Sequence, residues 1–271
     1  MMKNMRNRLF GWMALAAGVL TAGQSQAAEP LILAKGTQAG LYMRYGDMKS
    51  SGNYVDNACI TSDGNGGWTT DAKLTWKDEN TSADFSCYAP YNSEVKDALA
   101  LSFSIREDQS TSEAQAASDF LYGSAYLSPQ SKAYNLSLHH HFARVMIKLS
   151  AGEGFTEEEL TEGELGVRIK DVCTKAKINL ENGDVEATGT TASIKPLPEG
   201  TLTFSAIIIP QQVKKLAVIW NNVEYNALLD HYFDKGKLYT LSATLKKKEG
   251  GLDISIGDWE DSGEDFGGTV N

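Results

Sequence analysis

The alternation of apolar and polar positions is clearest in the second half of the chain, where it has a period of two. Leu165, Val167 and Ile169 alternate, and so do Ala176, Ile178 and Leu180. Leu216, Val218 and Trp220 lead through Asn221 and Asn222 to Val223, Tyr225 and Ala227. Tyr239, Leu241, Ala243 and Leu245 repeat the pattern, and Leu252, Ile254 and Ile256 close it. Side chains of a strand point alternately to its two faces, so this period predicts half-buried β-strands. Asn182 with Gly183, and Asn221 with Asn222, separate such runs. Both pairs predict two-residue hairpin turns, since Asn and Gly tolerate positive φ. The apolar run 201–209 predicts a buried strand stopped by Pro210, which has no N–H for a ladder. Residues 156–162 predict an acidic turn of helix at best.

Residues 135–149 read as one long strand in mid-chain. Leu136, Leu138, His140 and Phe142 share one parity, whereas Val145, Ile147 and Leu149 share the other. An unbroken strand cannot send both sets to one core. A one-residue bulge near Ala143 and Arg144 is predicted to restore the facing. This strand is expected to open a second β-domain.

The first half is patterned less strongly. Residues 40–45 predict a strand, 63–67 a turn and 68–76 a strand. A further strand over 84–91 is ended by Pro90. Residues 93–101 predict a short turn of helix. The polar, Ala-rich stretch 109–117 predicts a surface loop or short helix, and 119–122 closes the half. Short strands at regular spacing, separated by turn signals, predict an all-β chain of sandwiches. The expected division is a targeting segment 1–27, a first sandwich 28–133 and a second sandwich 134–271 with an acidic tail, meeting near Tyr134.

The targeting segment rests on Lys3, Arg6 and Arg8 ahead of an apolar run over 9–20, then the small-x-small site Ser25, Gln26, Ala27. Cleavage is predicted between Ala27 and Ala28. The run is shorter than the roughly 20 residues a membrane span needs, although a retained anchor helix is the alternative reading. No cysteine lies near the site, so lipid attachment is not expected. Cleavage removes three positive charges and no acidic residue, taking the net charge from −10 to −13. That balance argues against a nucleic-acid partner, which needs a basic footprint, and suits an exported protein. No membrane-spanning segment is predicted.

The chain has three cysteines, Cys59, Cys87 and Cys173. Export permits a disulfide, and Cys59 could pair with Cys87. The alternative is that all three are small buried hydrophobes. No Cys-x-x-Cys spacing suggests zinc or redox chemistry. Of the consecutive histidines, only His139 and His141 would share a strand face, half a zinc shell at most, so a structural role is favoured. Asp63 and Asn65 lack the remaining ligands of a calcium loop. No nucleophile elbow, His-Glu-x-x-His motif or phosphate-binding glycine loop occurs. No catalytic residue, cofactor site or metal ligand is therefore predicted. The five tryptophans could stack on sugars, but such residues are more often core.

Five stretches carry a family resemblance. They are Leu138, His140, Phe142 to Val145, Ile147 and Leu149; Gly40 to Met43; Phe85 to Tyr91; Phe204 to Gln211; and Phe233 to Thr240 followed by Ile254 to Trp259. In this order they resemble the fimbrillin (Mfa-like) family of two-domain surface and fimbrial proteins from Gram-negative anaerobes. The resemblance implies two transthyretin-like β-sandwich domains after a cleaved signal peptide. It also implies a fimbrial subunit or adhesin at the cell surface, in a fimbrium or at the outer membrane, without enzyme activity. Its partners would be other fimbrial subunits, joined by β-strand addition, and a host or bacterial surface receptor. Pilus subunits of this kind polymerise by strand exchange after a protease cuts beyond the first strand, often at Arg. Here Arg44 falls inside a predicted strand, and only 31–34, followed by Lys35, could serve as a removable strand. An accessory or terminal subunit is therefore expected rather than a stalk. The readings from other classes are a surface or periplasmic glycan-binding protein and a secreted hydrolase.

Overall fold

In the computed structural model, which describes residues 31–131, 136–249 and 251–261, strand occupies 55% and helix 5% of the chain. The protein is all-β, as its two-residue periodicity predicts. Ala27 and Ala28, Tyr134 and the end of the acidic tail lie outside the described residues.

The first half supplies β1 (Gln38–Arg44), β2 (Val55–Ser62), β3 (Trp68–Thr69), β4 (Ala83–Ala89), β5 (Leu101–Ser104), α1 (Ser112–Ala116) and β6 (Leu121–Leu127), with β7 (His139–His140) following. Six of these strands form one sheet in the order β3-β2-β1-β4-β6-β7. One face carries Leu41, Met43, Phe85, Cys87 and Leu121, which pack with Leu33, Ile60 and Leu138. The opposite face carries Tyr42, Tyr88 and Tyr122, which join a larger cluster built mainly by the second half. Gly40 is fixed by this packing, because a Cβ there would run into the Tyr88 ring.

The second half continues with β8 (Ala143–Ala151), α2 (Glu157–Glu162), β9 (Leu165–Asn179), β10 (Asp184–Ile194), β11 (Leu197–Pro198), β12 (Thr203–Ile208), β13 (Gln211–Trp220), β14 (Val223–Phe233), β15 (Leu238–Lys248) and β16 (Gly251–Asp261). One sheet runs β10-β9-β13-β14 with β5 also on β9, and the other runs β11-β12-β8-β15-β16. The β8–β15 pair is parallel and every other pair is antiparallel. Val167, Ile169, Leu216 and Val218 from one sheet share a core with Val145, Ile147, Phe204 and Leu241 from the other. Alternating inward residues from two facing sheets make a β-sandwich.

Several expectations are corrected. The strand expected over 135–149 is two strands in two sheets. β7 pairs with β6, whereas β8 pairs with β12 and β15. The break falls at His141 and Phe142. Changing sheets, rather than bulging at Ala143 and Arg144, is what buries both parities. Phe142 and Ala143 are consecutive and both fully buried.

The turn at Asn182 and Gly183 is a four-residue loop, because Asp184 pairs with Asn179. Leu180 is drawn out of the ladder: its N–H donates to Ala98 and its carbonyl accepts from the Tyr122 hydroxyl at 3.0 Å. Asn221 and Asn222 do form the two-residue turn, with φ of 49° and 63° between paired Trp220 and Val223. The strand expected over 68–76 stops at Thr69, and the Thr70 hydroxyl donates back to the Cys59 carbonyl. Residues 93–100 contain no helix, and β2 and most of β6 had no clear pattern.

Cys59 and Cys87 are free, as is Cys173. Cys59 pairs with Gly40 and Cys87 with Leu41 across opposite edges of β1. Strand spacing puts them two strands apart, about 10 Å, and Gly40 and Leu41 face opposite ways. A disulfide needs Cα atoms within about 7 Å. Cys87 is buried, and burial pushes its thiol pKa well above the ordinary value.

The two halves interlock. β5 leaves the first half to pair with β9, from Leu101 opposite Ile178 to Ser104 opposite Lys175. Phe120 stacks between Tyr88 and Phe142 at centroid distances of 5.9 and 5.8 Å, with Phe103 edge-on at 5.2 Å.

Candidate functional site

The outer N–H and C=O groups of an edge strand have no ladder partner, and they are what a sandwich offers to another strand. The edges of the sandwich therefore define the candidate site, and they are finished in two ways.

The outer edge of β12 is covered along its length. Near its start it pairs with the two-residue β11, whose Pro198 lacks an N–H. The Glu199 N–H donates to the Thr203 carbonyl at 2.8 Å. Gln115 Nε2 donates to the Ser205 carbonyl at 3.0 Å and to its hydroxyl at 2.8 Å. Ile207 is paired twice by one side chain: its N–H donates to Gln109 Oε1 at 2.8 Å, and Gln109 Nε2 donates to its carbonyl at 2.9 Å. A primary amide carries one acceptor and one donor group side by side, as a peptide edge does. Gln109 thus stands in for one residue of a missing strand.

The network continues toward the surface. The Ser205 hydroxyl donates to Glu199 Oε1 at 2.6 Å, and Arg144 donates to the same oxygen at 2.7 Å. The bond from Ser205, then the one from Arg144, hold the Glu199 pKa below the ordinary carboxylate value despite partial burial. The covering segment is anchored by Lys195, whose N–H donates to Glu107 and whose carbonyl accepts from Gln109. Asp108 accepts from the Ser110 hydroxyl and N–H and from Lys195, which lowers its pKa to about 2. Thr111 caps α1 by accepting from the Ala114 N–H.

By contrast, β10, β14 and β16 each pair with one neighbour only among the described strands. On β14, Leu228 is 74% and Tyr232 52% exposed. Asp230 has φ of 45° at the register shift opposite Lys214, a bulge of the kind that blunts an edge.

The residues singled out by sequence are scattered. Arg44 is 9% exposed, donates from Nη1 to Ser86 at 3.1 Å and ends β1, paired with Asp84 of β4. Lys35 is exposed in a turn, and 31–34 contains one isolated bridge position rather than a strand. His139 is exposed, His140 is buried 2.6 Å from Asp119, and His141 packs on the Tyr122 ring at 5.0 Å. Parity does not place His139 and His141 on one face, because the strand ends between them. No cluster of three or more His, Cys, Asp or Glu that could hold a metal occurs among the described residues. Asp63 turns its carboxylate onto the Asn65 and Gly67 N–H groups. Trp76 packs on Phe85 and Trp220 on Phe155, in contact with the cores rather than as an exposed platform. Sequence reasoning missed Gln109 and Gln115. The one available signal was two long polar residues in an Ala-rich segment, and their spacing of six residues matches no helix or strand face.

The architecture defines an all-β sandwich protein. The family model described as fimbrillin-like matches residues 24–259, and the chain belongs to the fimbrillin-like family of fimbrial and cell adhesion proteins. Among solved structures, a candidate cell adhesion protein from Bacteroides uniformis is 20% identical with a TM-score of 0.68, covering 86% of this chain and 94% of its own. A second, from Bacteroides ovatus, is 18% identical with a TM-score of 0.65, covering 84% and 87%. A fimbrial protein from Bacteroides ovatus is 19% identical with a TM-score of 0.50, covering 77% of this chain and 44% of its own. No curated protein matches the chain. No helix among the described residues is long and apolar enough to cross a membrane.

Proposed function

We propose that the protein is a non-enzymatic fimbrial subunit or adhesin, exported by cleavage between Ala27 and Ala28 and held at the cell surface, in a fimbrium or at the outer membrane. It is built as two transthyretin-like sandwich domains, 28–133 and 134–271, with β5 lent by the first to the second. It meets other fimbrial subunits by strand addition, and a host or bacterial receptor through its surface loops. β10, β14 and β16 are the edges open to such addition.

Within that role, an accessory or terminal subunit fits better than a self-polymerising stalk. The observation that carries this reading is Arg44. Its side chain is buried on Ser86, and its backbone, at the end of β1, is paired with Asp84 of β4. A protease binds an extended, accessible segment, so it would have to unzip β1 before cutting there. The test is to purify the surface form, map its N-terminus and run it unheated on a gel. An N-terminus at Ala28 without heat-resistant ladders is expected. An N-terminus at Tyr45 with ladders would overturn the accessory reading.

A further inference from the structure

We propose that the segment 105–118 is a built-in edge cap that keeps β12 from pairing with the β12 strand of a second copy of this chain. The inference goes beyond the adhesive role and does not depend on it.

Three observations converge. First, β12 and the residues after it are a hazard if uncovered. Phe204, Ser205, Ala206, Ile207, Ile208 and Ile209 carry no charge and are rich in β-formers. Short uncharged segments of this kind pair with identical copies when an edge is exposed. Second, the edge carries none of the charged blunting found on β14. Its protection consists of Pro198 on β11, the Glu199 N–H on Thr203, and the two glutamine side chains on Ser205 and Ile207. Third, the cap is built for this contact. Gln109 is 0% and Gln115 9% exposed, so each long polar side chain is buried with its amide aimed at a backbone 98 and 90 residues away in sequence. Ser118, also buried, accepts from the Arg106 N–H and donates to the Ala114 carbonyl, closing the segment on itself.

The occupant excluded is a second copy, because only an identical strand brings the same uncharged face into register. Two β12 edges related by a two-fold would meet first at the outward groups of Ile207, and at those of Ser205 and Thr203 as β11 gives way, an isologous contact.

The test uses the full chain with Gln109→Leu and Gln115→Leu together, which keep apolar volume and remove every amide bond. Light scattering after size exclusion should show an average mass that rises with protein concentration and at least roughly doubles, against a wild type whose mass does not rise through this edge. Amide exchange at Ile207, whose N–H donates to Gln109, should be fast in the dilute variant and slow again in the associated one. A folded double variant whose mass tracks the wild type at every concentration overturns the proposal, even if it is less stable. If the double variant does not fold, Gln109→Glu decides the matter. It keeps an acceptor for the Ile207 N–H and loses the donor to its carbonyl, so weaker association at the same edge is expected. A concentration-independent mass for that variant overturns the proposal equally.

Discussion

β12 and β14 lie in opposing sheets of one sandwich, and their outer edges are finished by different physics. At β12 the backbone groups are satisfied by side-chain amides brought from a distant segment. At β14 they have no second ladder partner among the described strands, with Leu228 and Tyr232 exposed beside a bulge at Asp230. A capped edge gains one or two hydrogen bonds per glutamine and hides an uncharged strand. An open edge keeps its bonding capacity for a partner and relies on local twist and charge to avoid unwanted pairing. Which edges a partner can reach is therefore decided by what covers each strand, and counting strands does not reveal it.

The largest effect expected from breaking this contrast is at Gln109. Truncation to Ala strands the Ile207 N–H and C=O without partners, and each orphaned buried group costs about 1–3 kcal/mol. Chemical denaturation of Gln109→Ala should show a loss of about 2–4 kcal/mol. A loss below about 0.5 kcal/mol, the range of neutral surface changes, would mean that water covers the edge equally well.

Next in size is Gly183, in the loop that starts the open β10 edge. It has φ of 72°, and a Cβ there would lie 2.5 Å from His141 Nε2 and 2.6 Å from the Tyr122 ring. Gly183→Val should cost about 1–3 kcal/mol by the same measurement, from backbone strain and this crowding. By contrast, Asn222→Gly in the exposed turn at Asn221 and Asn222 should cost no more than about 1 kcal/mol, since Gly adopts positive φ freely and only the exposed bond from Asn222 Nδ2 to Glu164 is lost. Equal costs at the two turns would remove the distinction between a crowded and an exposed hairpin turn.

The contrast between these two turns also marks how far the sequence could be read. The hairpin from Leu216 to Ala227 forms as read: alternation and Asn-Asn chemistry agree with its register, and the bonds that Glu164 makes with Asn221 and Asn222 do not alter it. The Gly183 hairpin carries the same local signal, yet Ala98 and Tyr122 take Leu180 out of the ladder and lengthen the loop. The stretch around Phe142 gave the correct symptom, two apolar parities in succession, but its remedy is a change of sheet and not a bulge. β5 was hidden because its partner, β9, lies more than 60 residues away and four residues are too few to show a period. Gln109 and Gln115 were hidden more deeply. Glutamine reads as a surface residue in any polar pattern, and only the folded chain brings the Ser205 and Ile207 backbone to it. Arg44 was legible, because the same alternation that places it in β1 also implies that its backbone is paired.

A smaller effect is expected from acid. The Asp108 pKa, ordinarily 3.8, is lowered to about 2 by the Ser110 hydroxyl and N–H and by Lys195. A depressed folded-state pKa means that the ionised form is the one the fold favours. Its contribution is present above about pH 4 and fades as pH falls toward 2. The carboxylate is largely exposed, so solvent screening keeps the contribution small. Between pH 4 and 2, amide shifts at Ser110 and Lys195 should move together, while those of Leu228 and Tyr232 should not follow that transition. A single transition shared by both regions would mean that the cap does not respond separately from the rest of the fold.

The smallest effect is expected on the open edge itself. Leu228→Ala should change stability by less than about 0.5 kcal/mol, since the side chain is 74% exposed. A loss above 1 kcal/mol would mean that Leu228 is covered in solution, and the open edge would have to be reassigned as an occupied one.

The most direct test is amide hydrogen exchange on the intact wild-type chain, comparing Ile207 with the outward-facing amides of β14. Ile207 is bonded only to a side chain 98 residues away, yet its amide should be as protected as those of Val145 and Ile147 in the neighbouring β8, while the outward β14 amides exchange rapidly. Exchange at Ile207 as fast as at the outward β14 amides would show that the β12 edge is open and would contradict the account.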